Sequence, residues 1–231
     1  MMERMGYPGG KGRCFQRLVN LMPAHRVYIE SHLGGGAVLS HKLPAEHSIG
    51  IDIDPRVIER WHAQRTDARC EFICADAADL LANLDLRGDE LVYADPPYVT
   101  STRRKARLYR HEYTDADHQQ LLDVLTGLRC MVLLSGYGNP LYERRLADWN
   151  RVSFKANSQV GLRDEVVWMN FEPPAVLHDG RYLGDTYRER QGAKRRCASL
   201  ERKLSALDPR ERAEVLRTLN RRFGTELGGR T

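Results

Sequence analysis

The sequence of 231 residues predicts an α/β fold with a mostly parallel sheet of seven strands. Two observations predict it. Short apolar runs alternate with amphipathic stretches over the first 171 residues, which is the pattern of repeated β-α units. The last two apolar runs have no helical pattern between them, so we expect an antiparallel pair at one edge of the sheet. Apolar residues make up 42% of the chain, which is enough for a packed core.

Each predicted element has its own signal in the sequence. Helices are expected from Ala37, after Asp54-Pro55, near Asp76 and from Thr114, because Asp and Thr are common N-caps and proline favours the first helical turn. Ligands of such sheets bind beyond the carboxyl ends of the strands, so residues that follow a strand are the candidate site. The predicted strands are 27–29, 48–53, 71–74, 91–94, 131–134, 152–155 and 165–170.

The chain changes character after Phe171, where Glu-Pro-Pro interrupts the pattern. We predict a catalytic domain over residues 1–175 and a basic helical extension over 176–231, with helices at 186–207 and 209–223. The extension carries 14 basic and 8 acidic residues, a net charge of +6, and the rest of the chain has a net charge of −1. This asymmetry indicates contact with a polyanion, most simply a nucleic acid.

Several classes of protein are excluded by what the sequence lacks. No stretch approaches the roughly 20 apolar residues of a membrane span, and the first residues do not resemble a signal peptide. We therefore expect a cytoplasmic protein without membrane contact. The five cysteines are irregularly spaced and form no CxxC pair, so no metal site is expected.

The strongest chemical signal is Asp95-Pro96-Pro97-Tyr98, which directly follows an apolar strand. The two prolines stiffen the backbone and remove two donors, so the Asp95 carboxylate and nearby carbonyls remain as acceptors. Tyr98 adds a flat aromatic face. Acceptors beside an aromatic plane suit a flipped base that carries an exocyclic amine.

Weaker signals follow the first three strands. Gly34-Gly35-Gly36 can bring the backbone close to a ligand at the start of a helix. Asp52 stands where a ribose hydroxyl pair needs an acceptor, and Asp76 could accept from an adenine amine. Each of these patterns also occurs in ordinary turns and helix caps. Their succession at consecutive strand ends, before Asp95, is more specific than any one of them.

Together these motifs resemble the DNA adenine methylase family, the adenine-N6 methyltransferases, from about Gly6 to Phe171. Tyr7-Pro8-Gly9-Gly10-Lys11 is similar to the family's N-terminal aromatic-x-Gly-Gly-Lys motif. Residues 30–36 are similar to its Glu-Pro-Phe-x-Gly-x-Gly cofactor loop. The resemblance implies a Rossmann-like class I methyltransferase fold with a C-terminal helical tail, and S-adenosylmethionine as the cofactor. It implies cofactor contacts at Tyr7, Gly10, Lys11, Glu30, His32, Gly34, Gly36, Asp52, Asp76 and Asp95.

The sequence also departs from the family pattern. Ser31 and His32 replace the usual Pro and Phe, and Gly136 follows Ser135 where the family has Asn. Family members with a defined target carry a long recognition insertion between the third and fourth strands. Asp76 and Asp95 are only 19 positions apart, which leaves no room for that insertion.

A basic segment after the catalytic motif is the first candidate to replace that insertion. Its charges could grip phosphates and its tyrosine could stack on a base. The C-terminal helices, with Lys194-Arg195-Arg196 and Arg221-Arg222, are the second candidate. The predicted nucleic-acid contacts are Arg103, Arg104, Lys105, Arg107, Tyr109 and Arg110.

The resemblance implies methyl transfer from S-adenosylmethionine to adenine N6 in DNA. The expected substrate is double-stranded DNA, and the enzyme would methylate either one specific target sequence or adenines with relaxed specificity. Asp95, Pro96, Pro97 and Tyr98 would act on a flipped base by direct displacement, and Asp95→Ala should abolish most turnover. Methylation of RNA adenine or of a protein amide remains an alternative, although Asp95 replaces the Asn typical of enzymes acting on glutamine. A second alternative is a nucleic-acid-binding module whose active site has lost its activity. A restriction-modification or phage role is left open.

Overall fold

The computed structural model describes residues 11–12, 14–64, 67–99, 111–158 and 161–224. The chain divides into two units. The first contains Met1–Phe15 and His25–Pro173, and the second contains Gln16–Ala24 and Pro174–Thr231. The first helix, α1 (Phe15–Val19), runs across this division.

The first unit contains one sheet of seven strands. The chain builds the sheet outward from β1 to β3, and then returns to the other side of β1 with β4. This reversal creates a switch point between β1 and β4, where ligands of α/β sheets bind. The strands are β1 (Val27–Glu30), β2 (His47–Asp52), β3 (Cys70–Cys74), β4 (Glu90–Ala94), β5 (Met131–Gly136), β6 (Asn150–Ser158) and β7 (Gly161–Met169), in the order β3-β2-β1-β4-β5-β7-β6.

The direction of the strands divides the sheet into two parts. β1 to β5 pair in parallel, and β7 is antiparallel to both β5 and β6. The first five strands therefore present their carboxyl ends at the same edge. The predicted α/β class, the seven strands and the antiparallel edge hairpin are all confirmed.

Short helices connect the strands of the first unit. Asp76 caps α4 through its side chain, and Thr114 caps α5 with a reciprocal bond from Asp117. Asn139 and Pro140 begin a sixth helix that the sequence pattern did not predict. The helices are α2 (Ala37–His41), α3 (Pro55–Gln64), α4 (Ala77–Ala82), α5 (Asp115–Gly127) and α6 (Pro140–Arg145).

The core of the first unit lies between β4, β5 and the helix α5. Every residue of β4 is buried, as expected for a central strand of a parallel sheet that is covered on both faces. The α5 residues Leu121, Leu122 and Leu125 have no exposed surface. This rigid centre holds the segments that follow β4 and β5.

The second unit contains a 3-10 turn (Gly180–Tyr182) and two longer helices, α7 (Tyr187–Ser205) and α8 (Pro209–Phe223). Thr186 caps α7 in a capping box with Glu189. Asp208 caps α8, and Pro209 occupies its first turn. Both helices begin within a residue of the position that the sequence predicted. No helix in the described parts of the chain is long and apolar enough to cross a membrane.

Candidate active site

The catalytic motif lies at the carboxyl end of β4, beside the end of β5. Ala94 pairs with Leu134, so the next residues, Asp95 and Ser135, are also neighbours. The Ser135 hydroxyl donates to Asp95 Oδ1 at 3.0 Å, and it lies 3.0 Å from the hydroxyl of the buried Tyr93. The strand register thus fixes the orientation of the Asp95 carboxylate.

Lys11 connects the side chains of Asp95 and Tyr98. Its Nζ lies 2.8 Å from Asp95 Oδ1, donates to Glu165 Oε1 at 2.7 Å and donates to the Tyr98 hydroxyl at 2.9 Å. An ammonium group has three donors, and these three acceptors use them all. Glu165 belongs to β7, so Lys11 links the catalytic motif to the antiparallel part of the sheet.

The charges of this cluster are strongly coupled. Burial lowers the pKa of Lys11, but the carboxylates of Asp95 and Glu165 outweigh it and hold that pKa well above its usual value. Burial raises the pKa of Asp95, while Lys11 and the Ser135 hydrogen bond act to lower it. Burial also raises the pKa of Glu165, against the opposing effect of Lys11. Lys11 therefore stays charged, and it keeps two buried acids from standing unpaired.

The two oxygens of Asp95 have different environments. Lys11 and Ser135 both contact Oδ1. Within the described ranges, no side chain or backbone donor contacts Oδ2. The protein therefore holds the carboxylate by one oxygen and leaves the other as an acceptor for a ligand.

Tyr98 stacks on a second tyrosine. Its ring centroid lies 4.0 Å from that of Tyr137, and the two ring planes differ by 16°. Tyr137 follows the end of β5, just as Tyr98 follows the end of β4. The guanidinium of Arg163 lies 5.3 Å from the centroid of the Tyr137 ring.

The glycine loop follows β1 and is tied to the end of β2. Gly34 and Gly36 have φ values of 43° and 53°, a left-handed conformation that glycine adopts without strain. The Gly34 amide donates to Asp52 Oδ2 at 2.8 Å, and the Trp61 indole donates to the Gly34 carbonyl at 3.1 Å. Asp52 also accepts from the Asp54 amide at 2.9 Å, and burial raises its pKa.

Glu30, at the end of β1, turns into the interior. Its Oε2 accepts from the Tyr28 hydroxyl and from the Leu39 amide, both at 2.9 Å. The second bond satisfies one of the free amides in the first turn of α2. Burial raises the pKa of Glu30 to about 8, although these hydrogen bonds act to lower it. In this structure Glu30 supports the loop that precedes α2.

His32 belongs to the same loop, is half-buried and lies between two hydroxyl groups. One ring nitrogen is 2.9 Å from the Ser31 hydroxyl, and the other is 3.0 Å from the Tyr113 hydroxyl. Burial lowers the pKa of His32 to about 3. The imidazole is therefore neutral near pH 7 and offers one donor and one acceptor.

The structure brings together some of the residues that the sequence singled out. Lys11 contacts Asp95 and Tyr98 directly, and Asp52 contacts Gly34. Asp76 serves as the N-cap of α4, accepting from the Ala78 amide at 2.8 Å and the Asp79 amide at 3.1 Å. The remaining predicted positions lie outside the described residues: Tyr7, Gly10, Arg103, Arg104, Lys105, Arg107, Tyr109 and Arg110.

The sequence patterns did not indicate two members of the site, Glu165 and Tyr137. Glu165 follows Asp164 and directly precedes the buried apolar residues 166–169 of β7, and its side chain is only 3% exposed. An acid on the buried face of a strand usually has a charged partner, which is the signal that could have identified it. For Tyr137 the signal was its place directly after the fifth strand.

Residues 60–141, about a third of the chain, match the family of D12 class N6 adenine-specific DNA methyltransferases. This match supports an S-adenosylmethionine-dependent methyltransferase. The matched segment runs from α3 into α6 and contains Asp95-Pro96-Pro97-Tyr98. The match confirms the resemblance to the DNA adenine methylases. No curated protein sequence matches the chain.

Solved structures of similar fold include several methyltransferases. The chain resembles a dimethyladenosine transferase of Plasmodium falciparum with 13% identity and a TM-score of 0.44, over 71% of this chain and 62% of that one. It resembles precorrin 8W decarboxylase of Methanobacterium thermoautotrophicum with 12% identity and a TM-score of 0.44, over 71% and 92% of the two chains. These values are too low to support a conclusion about the substrate.

Proposed function

We propose that the protein transfers a methyl group from S-adenosylmethionine to the N6 amine of an adenine in DNA. The observation that carries the proposal is the Asp95 carboxylate, whose Oδ1 accepts from Lys11 and Ser135 while Oδ2 is left for a ligand. An acceptor of this kind, next to the aromatic ring of Tyr98, fits an amine at the edge of a planar base. The D12 family match over residues 60–141 supports adenine in DNA as the substrate.

The glycine loop and Asp52 fit the cofactor. Two left-handed glycines keep the loop close to β2 and free of side chains, and Asp52 provides a buried carboxylate at the adjacent strand end. His32 and Asp76 are further candidates for cofactor contacts. Lys11 and Glu30, which the resemblance also implies, are buried and bonded to other protein groups, so we propose that they support the site from within. When bound, S-adenosylmethionine supplies an electrophilic methyl group on its sulfonium sulfur.

In the proposed reaction, the target adenine leaves the helix and packs on Tyr98. Asp95 Oδ2 and the Pro96 carbonyl accept the two N6 hydrogens and orient the nitrogen lone pair. N6 would form a bond to the methyl carbon as the bond from that carbon to sulfur breaks, and S-adenosylhomocysteine would leave. The methylated N6, then cationic, would give one proton to water. The carboxylate stabilises the positive charge that develops on N6, so positioning and electrostatics provide the catalysis.

A direct test uses labelled S-adenosylmethionine with DNA that lacks adenine methylation, and with structured RNA as the competitor. The proposal predicts N6-methyladenine in the DNA, mapped by modification-sensitive sequencing. A single short motif would indicate that the basic segment or the C-terminal helices read sequence. Transfer to RNA alone, or to a protein amide, would overturn the choice of substrate.

Substitutions of Asp95 test the mechanism. Asp95→Ala should lower kcat about a thousandfold, because it removes the acceptor for N6. Asp95→Asn should be nearly as inactive. Lys11 and Ser135 donate to the Oδ1 position and hold the amide oxygen there, so the amide NH2 replaces Oδ2 and opposes the N6 hydrogens.

Cofactor binding provides the control for these variants. Calorimetry should show S-adenosylmethionine affinity within a few fold of the wild type, because the glycine loop and Asp52 are unchanged. A highly active Asp95→Asn variant would show that Oδ2 is not the acceptor. An active Asp95→Ala variant would contradict the mechanism as a whole.

A further inference from the structure

Tyr98 and Tyr137 form a closely stacked, nearly parallel pair. Aromatic side chains in proteins mostly pair offset or edge-to-face, with centroids about 4.5–7 Å apart. These two rings are closer, at 4.0 Å, and nearly parallel, at 16°. The arrangement is therefore similar to the stacking of neighbouring bases, which lie about 3.4 Å apart.

Side chains of the same strand, β7, support both rings. Glu165 accepts from Lys11, which donates to the Tyr98 hydroxyl. Arg163 lies over the Tyr137 ring. Residues 163 and 165 are two apart in a strand, so their side chains project from the same face. One face of β7 thus supports both tyrosines.

Within the described part of the chain, only the Tyr98 ring shares a direct contact, Lys11, with the Asp95 carboxylate. Lys11 contacts both Asp95 Oδ1 and the Tyr98 hydroxyl, so the Tyr98 ring has a defined position relative to Asp95. Tyr137 belongs to the neighbouring strand end, and it covers one face of Tyr98. A base that stacks on the face of Tyr98 that Tyr137 covers must therefore lie between the two rings.

We propose that Tyr98 and Tyr137 form a two-sided slot that holds the flipped base, and that Tyr137 is its second stacking residue. This inference rests on the proposed function. A base between the rings requires roughly 7 Å between their planes, twice the stacking distance, so the rings separate by about 3 Å when the base enters. The stack closes the slot when no base is bound.

Substitutions of Tyr137 test the slot through the KM for DNA. Tyr137→Ala removes one stacking wall and should raise the KM for unmethylated DNA about tenfold. The KM for S-adenosylmethionine should not change. Tyr137→Phe keeps the ring and should stay within about twofold of the wild type in both constants.

Each alternative gives a different result. A lower KM for DNA in Tyr137→Ala would overturn the proposal, because it would show that Tyr137 only covers Tyr98. An equal rise of both KM values, with a lower unfolding temperature, would also overturn it by indicating a purely structural role. No transfer by the wild type to DNA or RNA would refute the proposed function itself. If RNA is the substrate, the same KM pattern on RNA supports the slot.

Discussion

At the scale of single residues, the site depends on a buried cation between a buried acid, Glu165, and a partly buried one, Asp95. Lys11 is 5% exposed and Glu165 is 3% exposed. Such groups are costly to bury, and removing one partner typically destabilises a protein by about 3–5 kcal/mol. The cluster is therefore better explained by the positions it gives to Asp95 and Tyr98, the proposed catalytic residues, than by a gain in stability.

Glu30 leads to a prediction about stability and pH. Its pKa is raised from 4.5 to about 8 by burial, so the folded state holds a proton that the unfolded state releases between these values. The free energy of unfolding therefore falls as the pH rises through this window, by up to about 4–5 kcal/mol from this group. Glu30→Gln keeps the acceptor for Tyr28 and Leu39 but cannot ionise. We expect it to be increasingly more stable than the wild type as the pH rises to about 8.

Chemical denaturation at a series of pH values measures this difference. Glu59→Gln on α3 is a matched control, because its side chain is exposed to water and the substitution should leave the wild-type pH profile in place. A constant difference between Glu30→Gln and the wild type over the window would show that Glu30 is ionised in the folded protein.

Local sequence signals revealed one part of the site and missed another. Asp95, Pro96, Pro97 and Tyr98 are contiguous, and a rigid acceptor beside an aromatic ring can be recognised directly in the chain. Lys11 and Glu165 are 154 positions apart, so no periodicity or spacing connects them. Their contact depends on β7 lying beside β5, which is a property of the assembled sheet.

At the scale of elements, caps explain which helices could be predicted. Thr114, Thr186 and Asp208 each mark a helix start and each accept a backbone amide in the structure. The helices that were not predicted, α1 and α6, have five and six residues. α6 also begins with a capping side chain, Asn139, and with Pro140, so a cap without a following helical period was not enough. Segments this short carry too few turns for such a period, and tertiary packing determines them.

The glycine loop gives a prediction at this scale. A Cβ at Gly36 would lie 2.2 Å from Cζ2 of the Trp61 side chain, and the φ of 53° disfavours other residues. Gly36→Ala should therefore destabilise the protein by about 2–5 kcal/mol and weaken S-adenosylmethionine binding. Thermal unfolding and calorimetry measure the two effects.

Gly127→Ala is the matched control for this substitution. Gly127 ends α5, and a Cβ there has nothing within 4 Å. The change should leave stability within about 1 kcal/mol of the wild type or slightly above it. If Gly36→Ala is as stable as this control, the loop can move away from Trp61. Its close approach to α3 would then not be required for the stability of the protein.

At the scale of the whole molecule, positive charge is concentrated in one segment. Residues 176–231 have a net charge of +6, whereas the whole chain has +5. Lys194, Arg195 and Arg196 are exposed on α7. Neutralising phosphates releases counterions, so the contribution of these side chains to DNA binding can be measured from the dependence of affinity on salt.

Replacing Lys194, Arg195 and Arg196 together by Gln gives the final prediction. If these residues contact phosphates, the slope of log K against log salt should become less negative by about 2–3, because each phosphate that is no longer neutralised accounts for roughly 0.9 of the slope. Gln has a helix propensity similar to that of Lys and Arg, so α7 should remain folded. Phosphate contacts carry no sequence information, so the affinity should fall equally for all sequences, with kcat at saturating DNA unchanged.

Arg26→Gln serves as the control, because Arg26 is already paired with Glu46 and Asp89 in the first unit. Its salt dependence should match that of the wild type. An unchanged slope in the α7 variant would show that these three side chains do not bind the DNA backbone. The phosphate contacts would then have to come from elsewhere, and the basic segment at residues 103–110 would be the next to be neutralised in the same assay.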